Sequence, residues 1–239
     1  MRTEINKNRQ HDHRIHYRGK EASRFDNLTD AVFGIAITLL IFNLTNPNSF
    51  EDLLSFTKTL PAFLISISFI IMIWREHLQF SEIYTLNDIR LIILNTLFIA
   101  LIIFYVYPLR FMTLFLTNYF FQTNIEVYIL GSQVPYLMMY YGFAAFAVYF
   151  ILYLFYRRAN QLKQDLKLSN FEIFYTQAQQ KRLFFMFVVP LISITFILII
   201  KPISFVWASV IGGITYNIYI PLIMIWNHNF QKKAKTYDA

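Results

Sequence analysis

The chain contains no cysteine, only 6 Gly and 7 Pro, and just 15% charged residues in a length of 239. Without thiols there can be no disulfide, iron–sulfur cluster, thiol nucleophile or thiolate metal site, while the redox compartment stays open. Scarce charge beside 56% hydrophobic and 19% aromatic residues leaves more apolar surface than one soluble core can bury. Mean hydropathy is +0.44. The long apolar runs lack period-two alternation, which excludes an outer-membrane barrel. There is no G-x-S-x-G, no HExxH and no Asp pair in neighbouring apolar stretches, so the chain is not expected to be an enzyme. No basic leader runs into a short apolar core, so no signal peptide is expected. No repeat of 20 to 50 residues is visible.

What is present is a succession of six apolar stretches, roughly 27–45, 54–74, 89–109, 134–156, 183–200 and 203–226, each near the ~20 residues a membrane helix needs. They predict an all-α integral membrane protein with six transmembrane helices. Residues 1–24 are expected to be a cytoplasmic basic N-terminal tail, 25–226 a six-span domain and 227–239 a cytoplasmic C-terminal tail. Lys201-Pro202 alone joins the last two stretches and predicts a tight hairpin, since Pro cannot continue a helix. The segment from Arg110 to Gln133 mixes aromatics with Asn, Gln, Thr and Glu, and reads as an extended connection with a short interfacial helix or as a seventh span. Of 21 Lys and Arg, six spans place 18 on one side and leave Lys58, Arg110 and Lys201 on the other. By the positive-inside rule both termini are cytoplasmic. The net charge of +7 follows from that asymmetry, and nucleic acid is not expected as a partner.

The first stretch is the most informative, because Arg24, Asp26 and Asp30 run directly into an apolar helix, and ionisable groups at membrane depth survive where they face protein or a water path. At 100° per residue Ala31, Ile35, Thr38 and Phe42 share one stripe, which Thr45 continues. From Ala31 to Leu44 are 14 residues, about 21 Å at 1.5 Å per residue, short against a ~30 Å hydrocarbon core. Asp30 then needs a partner, Arg24 locally or Arg75 or His77 at matching depth. The plainer reading is that Asp26 and Asp30 favour the helix N-terminus, that Ile35 and Phe42 pack, and that Thr38 bonds its own helix.

Three of the five His residues lie in HDHRIH at positions 11, 13 and 16; the spacing matches no metal site, and a mobile basic tail that can touch anionic lipid is expected instead. His77, beside Arg75 and Glu76, is either an interfacial polar group or a pH-sensitive partner of Asp30 or Arg24. Asn95 is expected to bond between helices, and Asp88 and Arg90 to mark the entry of the third stretch.

Arg24-x-x-x-Leu28-Thr29-Asp30 followed by AVFGIAITLL resembles the R-x-x-x-F-S-D signature and first helix of the endolysosomal potassium channel family, transmembrane protein 175 and its prokaryotic homologues. Further agreement comes from Trp74-Arg75-Glu76-His77 and from Leu86-Asn87-Asp88, Asn95-Thr96-Leu97-Phe98 and Pro108. The resemblance implies a six-span subunit, four copies around a central pore lined by the first helix, and potassium as the permeant species with no cofactor and no bound metal. Carried over by position, it puts the principal constriction on Ile35, further pore-facing layers on Thr38 and Phe42, with Ala31 on the same wall, and a polar signature network on Arg24, Thr29, Asp30 and His77. Leu28 and Thr29 depart from the family's Phe and Ser, which removes an aromatic contact but keeps the hydroxyl.

Together these readings predict a potassium-permeable, modestly selective cation channel in the plasma membrane, a homo-oligomer, by the resemblance a tetramer. No TVGYG-type loop is present, so selectivity would come from an apolar neck with weak oxygen ligands. The alternative is a secondary transporter, whose broken midplane helices would have to arise at Pro190 or Gly212-Gly213.

Overall fold

The computed structural model describes residues 12–19, 23–42, 48–86, 88–121 and 127–237, with residues 41, 42, 55 and 121 described by backbone alone. Among the described residues there are eight α-helices: α1 (Arg24–Phe42), α2 (Phe50–Thr57), α3 (Leu60–Tyr84), α4 (Ile89–Phe121), α5 (Val134–Gln161), α6 (Asn170–Ile200), α7 (Phe205–Thr215) and α8 (Tyr219–Ala234). No strand occurs among the described residues. Five helical stretches among the described residues are long and apolar enough to cross a membrane: Leu60–Tyr84, Ile89–Phe120, Gly131–Gln161, Asn170–Ile200 and Phe205–Tyr237. The first predicted stretch, 27–45, corresponds to the shorter α1, which carries Arg24, Asp26 and Asp30 in its first two turns.

Local chemistry sets several helix starts. Ser23 and Asp26 exchange side-chain and backbone bonds at the start of α1, and Ser49 with Asp52 and Ser169 with Glu172 do the same for α2 and α6. Each is a capping box that satisfies N–H groups left over by the helix. Pro61 stands in the first turn of α3, where its missing N–H costs nothing. The second apolar stretch is therefore cut in two, and the long helix begins at Leu60 rather than near residue 54. Pro221 has the opposite effect within the last span: its ring opposes the carbonyl four residues back, and the helix tightens to a 3₁₀ turn over Tyr216–Ile218 before α8.

Several helices outrun the predicted spans. α4 is 33 residues long, about 50 Å at 1.5 Å per residue, and continues through Pro108 into the segment expected to be a connection. The Tyr141 hydroxyl donates to the Pro108 carbonyl, and the Ser66 and Thr113 hydroxyls pair at 2.6 Å, tying that extension to its neighbours. α5 and α6 likewise convert most of the stretch from Arg157 to Arg182 into helix, leaving only 162–169 between them. Pro190 lies inside α6 without ending it, and α7 passes unbroken through Gly212-Gly213. Gly212 is needed for contact, since a Cβ there would sit 2.6 Å from Ile197 Cγ1, and its carbonyl accepts from Ser193 Oγ at 2.9 Å.

The core is aromatic. Phe33 of α1, Phe80 and Tyr84 of α3, Phe98 of α4 and Phe155 and Tyr156 of α5 form one buried cluster, with ring centroids 5.0 to 6.0 Å apart. Ion pairs brace one end of the bundle: Arg182 of α6 with Glu76 of α3 at 2.9 Å, and Arg158 of α5 with Asp88 before α4 at 3.0 Å. The N-terminal segment joins the same end. Ile15 is buried, Arg18 pairs with Glu172 at 2.8 Å, and Arg14 lies 4.0 Å over the Phe171 ring and donates to the Ala234 carbonyl. Residues 12–19 are thus packed rather than the loose tail expected from their polarity. The C-terminal residues are helical too, with Phe230 and Tyr237 stacked on Phe174.

Candidate functional site

α1 has two unlike faces. Thr29, Val32, Phe33, Ala36 and Leu40 are buried against α3 and α4, whereas Asn27, Leu28, Ala31, Gly34, Ile35 and Thr38 are exposed. Ile35, at 52% exposed, is the large apolar side chain in the middle of that open face. Elsewhere the exposed helix surfaces carry bulky residues such as Leu191, Ile192, Phe196 and Ile199 on α6. On α1 they give way to Ala, Gly, Thr and Asn. Gly34 is telling, because a Cβ there would meet nothing within 4 Å. Its own subunit does not require it to be small.

Thr38 Oγ1 donates to the Ile35 carbonyl at 2.7 Å. With its proton spent on the helix, that oxygen turns its lone pairs outward, which suits a cation. Phe42 closes α1, and its side chain lies outside the described residues. Ala31 lies one turn before Ile35 on the exposed face.

Behind the open face runs a buried polar chain. Thr29 Oγ1 donates to Phe25 O at 3.0 Å, so it must accept from Asn95 Nδ2, 2.7 Å away. Asn95 therefore turns Oδ1 toward His77 Nε2 at 2.9 Å, and since a carbonyl oxygen only accepts, His77 holds its proton on Nε2. The His77 ring stacks on Phe98 at 5.3 Å. α1, α4 and α3 are thus pinned together at one depth.

The two acids of α1 use other partners. Trp74 Nε1 donates to Asp30 Oδ1 at 2.8 Å, and Ser81 Oγ donates to Asp26 Oδ1 at 2.8 Å. Of the partners expected for Asp30, neither Arg24, Arg75 nor His77 is the one found; an indole N–H takes the place. Arg24 is exposed and has no ion pair among the described residues. Of the four signature positions, Thr29 and His77 meet through Asn95, Asp30 is held separately, and Arg24 stands apart. Trp74 and Ser81 were missed as partners; spacing does hint at Trp74 and Ser81, which lie three residues before and four after His77 on one side of α3. No group of three His, Asp or Glu among the described residues could hold a metal.

A family profile described as the endosomal/lysosomal potassium channel TMEM175 matches residues 24–105, from α1 to the middle of α4. A protein of Marivirga tractuosa named "Potassium channel" is 33% identical over 227 residues, 92% of each chain. The chain belongs to the TMEM175 potassium-channel family. The crystal structure of a threonine-to-alanine variant of the potassium channel MtTMEM175, in complex with a nanobody–MBP fusion, superposes with a TM-score of 0.84 at 32% identity, covering 93% of this chain and 99% of the other. The whole bundle, α5 to α8 included, therefore has the TMEM175 fold, and the chain is a multi-pass membrane protein of a channel family whose relatives are not enzymes.

Proposed function

We propose that four copies of the chain assemble with the exposed faces of α1 around a central axis, forming a potassium-permeable, modestly selective cation pathway in the plasma membrane with α1 as its sixth span. The observation that carries this reading is the open stripe of Asn27, Ala31, Gly34, Ile35 and Thr38. A lipid-facing helix surface has no use for small and hydroxylated residues, whereas close-packed or water-lined helices do. Gly34, unconstrained by its own subunit, fits a surface met only in the assembly.

In this reading four Ile35 side chains make the narrowest ring. They offer no ligand, so the closed pore excludes ions by dewetting, and conduction requires the ring to widen. Thr38, one turn along, supplies hydroxyl oxygens to a partly dehydrated ion, and Phe42 adds a further apolar layer. Potassium sheds its water more readily than sodium, so such a neck favours potassium modestly. Asp26 and Asp30 sit at the mouth, where negative charge concentrates cations, while Thr29, Asn95 and His77 hold α1 against α3 and α4. The Lys and Arg asymmetry puts the end carrying Arg14, Arg18, Arg158 and Arg182, and with it both termini, in the cytoplasm.

The test is potassium flux from purified protein in liposomes under a potassium gradient, beside Ile35→Asn, with sodium substituted in parallel. Non-saturating potassium flux that Ile35→Asn raises, or whose selectivity it erodes, is the expected result. Saturable flux driven by a counter-substrate would make the chain a transporter, and silence from both proteins would leave α1 as packing.

A further inference from the structure

Midway along the bundle and away from α1 lies a cavity of about 380 Å³. Its walls come from the middle of α3, α4 and α5, with Met186 of α6 and with Tyr216 and Tyr219 of the last span. Ala144 and Ala145 give the α5 wall little bulk. One end starts a helical turn from the pair of Glu76 and Arg182, at Ile73 and Met186, and along α4 the wall runs from Leu101 to Met112, about 16 Å at 1.5 Å per residue. None of the described residues lining it carries a charge. The Tyr141 and Tyr219 hydroxyls donate to the carbonyls of Pro108 and Met186. Arg182 gives Nε to Gln179 and both terminal nitrogens to Glu76, so its charge is already matched. Water, which needs two to four polar partners, meets mainly hydrocarbon here, and an empty cavity forfeits the dispersion contacts of its lining. Among the described residues that line it, only Phe69 and Met72 are exposed, at 42% and 46%. The cavity therefore opens beside α3, midway along Leu60–Tyr84, at a depth where a bilayer consists of acyl chains.

We propose that this cavity binds one acyl chain of a membrane phospholipid, which enters past Phe69 and Met72 and lies along α4. An apolar cavity of about 150 Å³ takes a benzene ring; this one is more than twice as large and elongated, the shape of a run of methylenes. A free fatty acid would need a cation for its carboxylate, and Arg182 is held by Glu76. The phospholipid headgroup stays outside, at the bilayer surface. A chain in the bilayer has already left water, so what it gains is packing rather than hydrophobic transfer. Binding of this kind needs only the membrane setting of the chain and not a pore at α1.

The probe is a phosphatidylcholine with a diazirine midway along one acyl chain, reconstituted in bilayers with the full-length protein. After irradiation, adducts are located by peptide mass spectrometry, and the mass added tells intact phospholipid from free acid. Adducts of the intact lipid are expected on Ile102 and Val148, which line the cavity and are buried. They are also expected on Leu198 and Ile199, exposed on α6, which any bilayer chain can touch. In Ala145→Phe, whose ring fills part of the cavity, the interior adducts should fall about tenfold against the outer ones, the factor given by about 1.4 kcal/mol of competition. Ala144→Leu, a smaller plug and easier on folding, should lower them too. A probe with the diazirine in its headgroup should label neither Ile102 nor Val148. Adducts confined to exposed residues would overturn the proposal and leave the cavity to a neighbouring copy or to nothing. Interior adducts that survive both plugs, or that carry only the free acid, would overturn it as well.

Discussion

Substituting Asn95 by Leu should unlock α1 from the bundle while leaving its hydrophobic contacts in place. Asn95 is 5% exposed and His77 4%, so no water is at hand to replace what is lost. The substitution strips His77 Nε2–H of its acceptor, while Thr29 keeps its bond to Phe25 O. An orphaned buried donor costs about 1–3 kcal/mol. Polar pairs between membrane helices average only about 0.6 kcal/mol and reach about 1.7. The upper part of that second range applies here, because His77 is enclosed by Phe98 and Phe155 and finds no substitute partner on local unfolding. His77→Phe alone should cost a similar amount by orphaning Asn95 Oδ1. The double variant removes both polar groups and keeps the aromatic stack, so it should be less damaged than the sum of the singles by about 1.5 kcal/mol. Unfolding by SDS in mixed micelles, followed by tryptophan fluorescence, closes the cycle. A coupling below about 0.5 kcal/mol would show that the two residues do not act as a unit, and the account of how α1 is docked would fail.

If α1 lines the pore as proposed, Thr38→Ala should leave potassium flux measurable but reduce its preference over sodium, since the proposed hydroxyl ligands are gone while the proposed Ile35 constriction remains; unchanged bi-ionic reversal potentials would argue against a ligand role. Trp74→Phe removes the donor to Asp30 and leaves a carboxylate with one hydrogen bond fewer at the proposed mouth, so cation flux should rise at low ionic strength and converge with wild type at high salt. Glu76→Gln breaks the forked pairing with Arg182; with both partners about a fifth exposed, a loss of about 1–3 kcal/mol is expected in the same unfolding assay. Gly212→Ala should cost about 1–3 kcal/mol through overpacking, and Ile197→Ala, by removing the side chain a new Cβ would strike, should recover part of it.

The membrane class, the apolar stretches and the shared exposed face of Ala31, Ile35 and Thr38 on α1 were legible in the sequence because each depends on local properties: summed hydropathy, charge scarcity and a helical period. Helix lengths were less so. The first turns of α6 are rich in Gln, Glu and Lys and read as a polar loop by hydropathy, yet they are helical because Phe171, Tyr175, Thr176 and Gln179 form a buried stripe. Arg110 to Phe121 reads as a connection for a different reason, the polar residues that interrupt an otherwise apolar and aromatic run. Residues 12–19 looked loose because charge was counted without partners, and the partners, Glu172 and Ala234, lie more than 150 residues away.

Local composition alone dictates which segments leave water and which turns cannot continue, since hydrophobic transfer and proline geometry act on neighbouring residues. Partnership was decided only by the tertiary structure. Asp30 has three cationic or imidazole candidates in the sequence and is bonded to the Trp74 indole; His77, for which the sequence offers Asp30 as a partner, meets Asn95. Which polar group reaches which depends on the rotation and depth of α1, α3 and α4 against one another. Those are set by the packing of Phe33, Phe98 and Phe155 around His77, a collective fit of distant residues that no local pattern encodes.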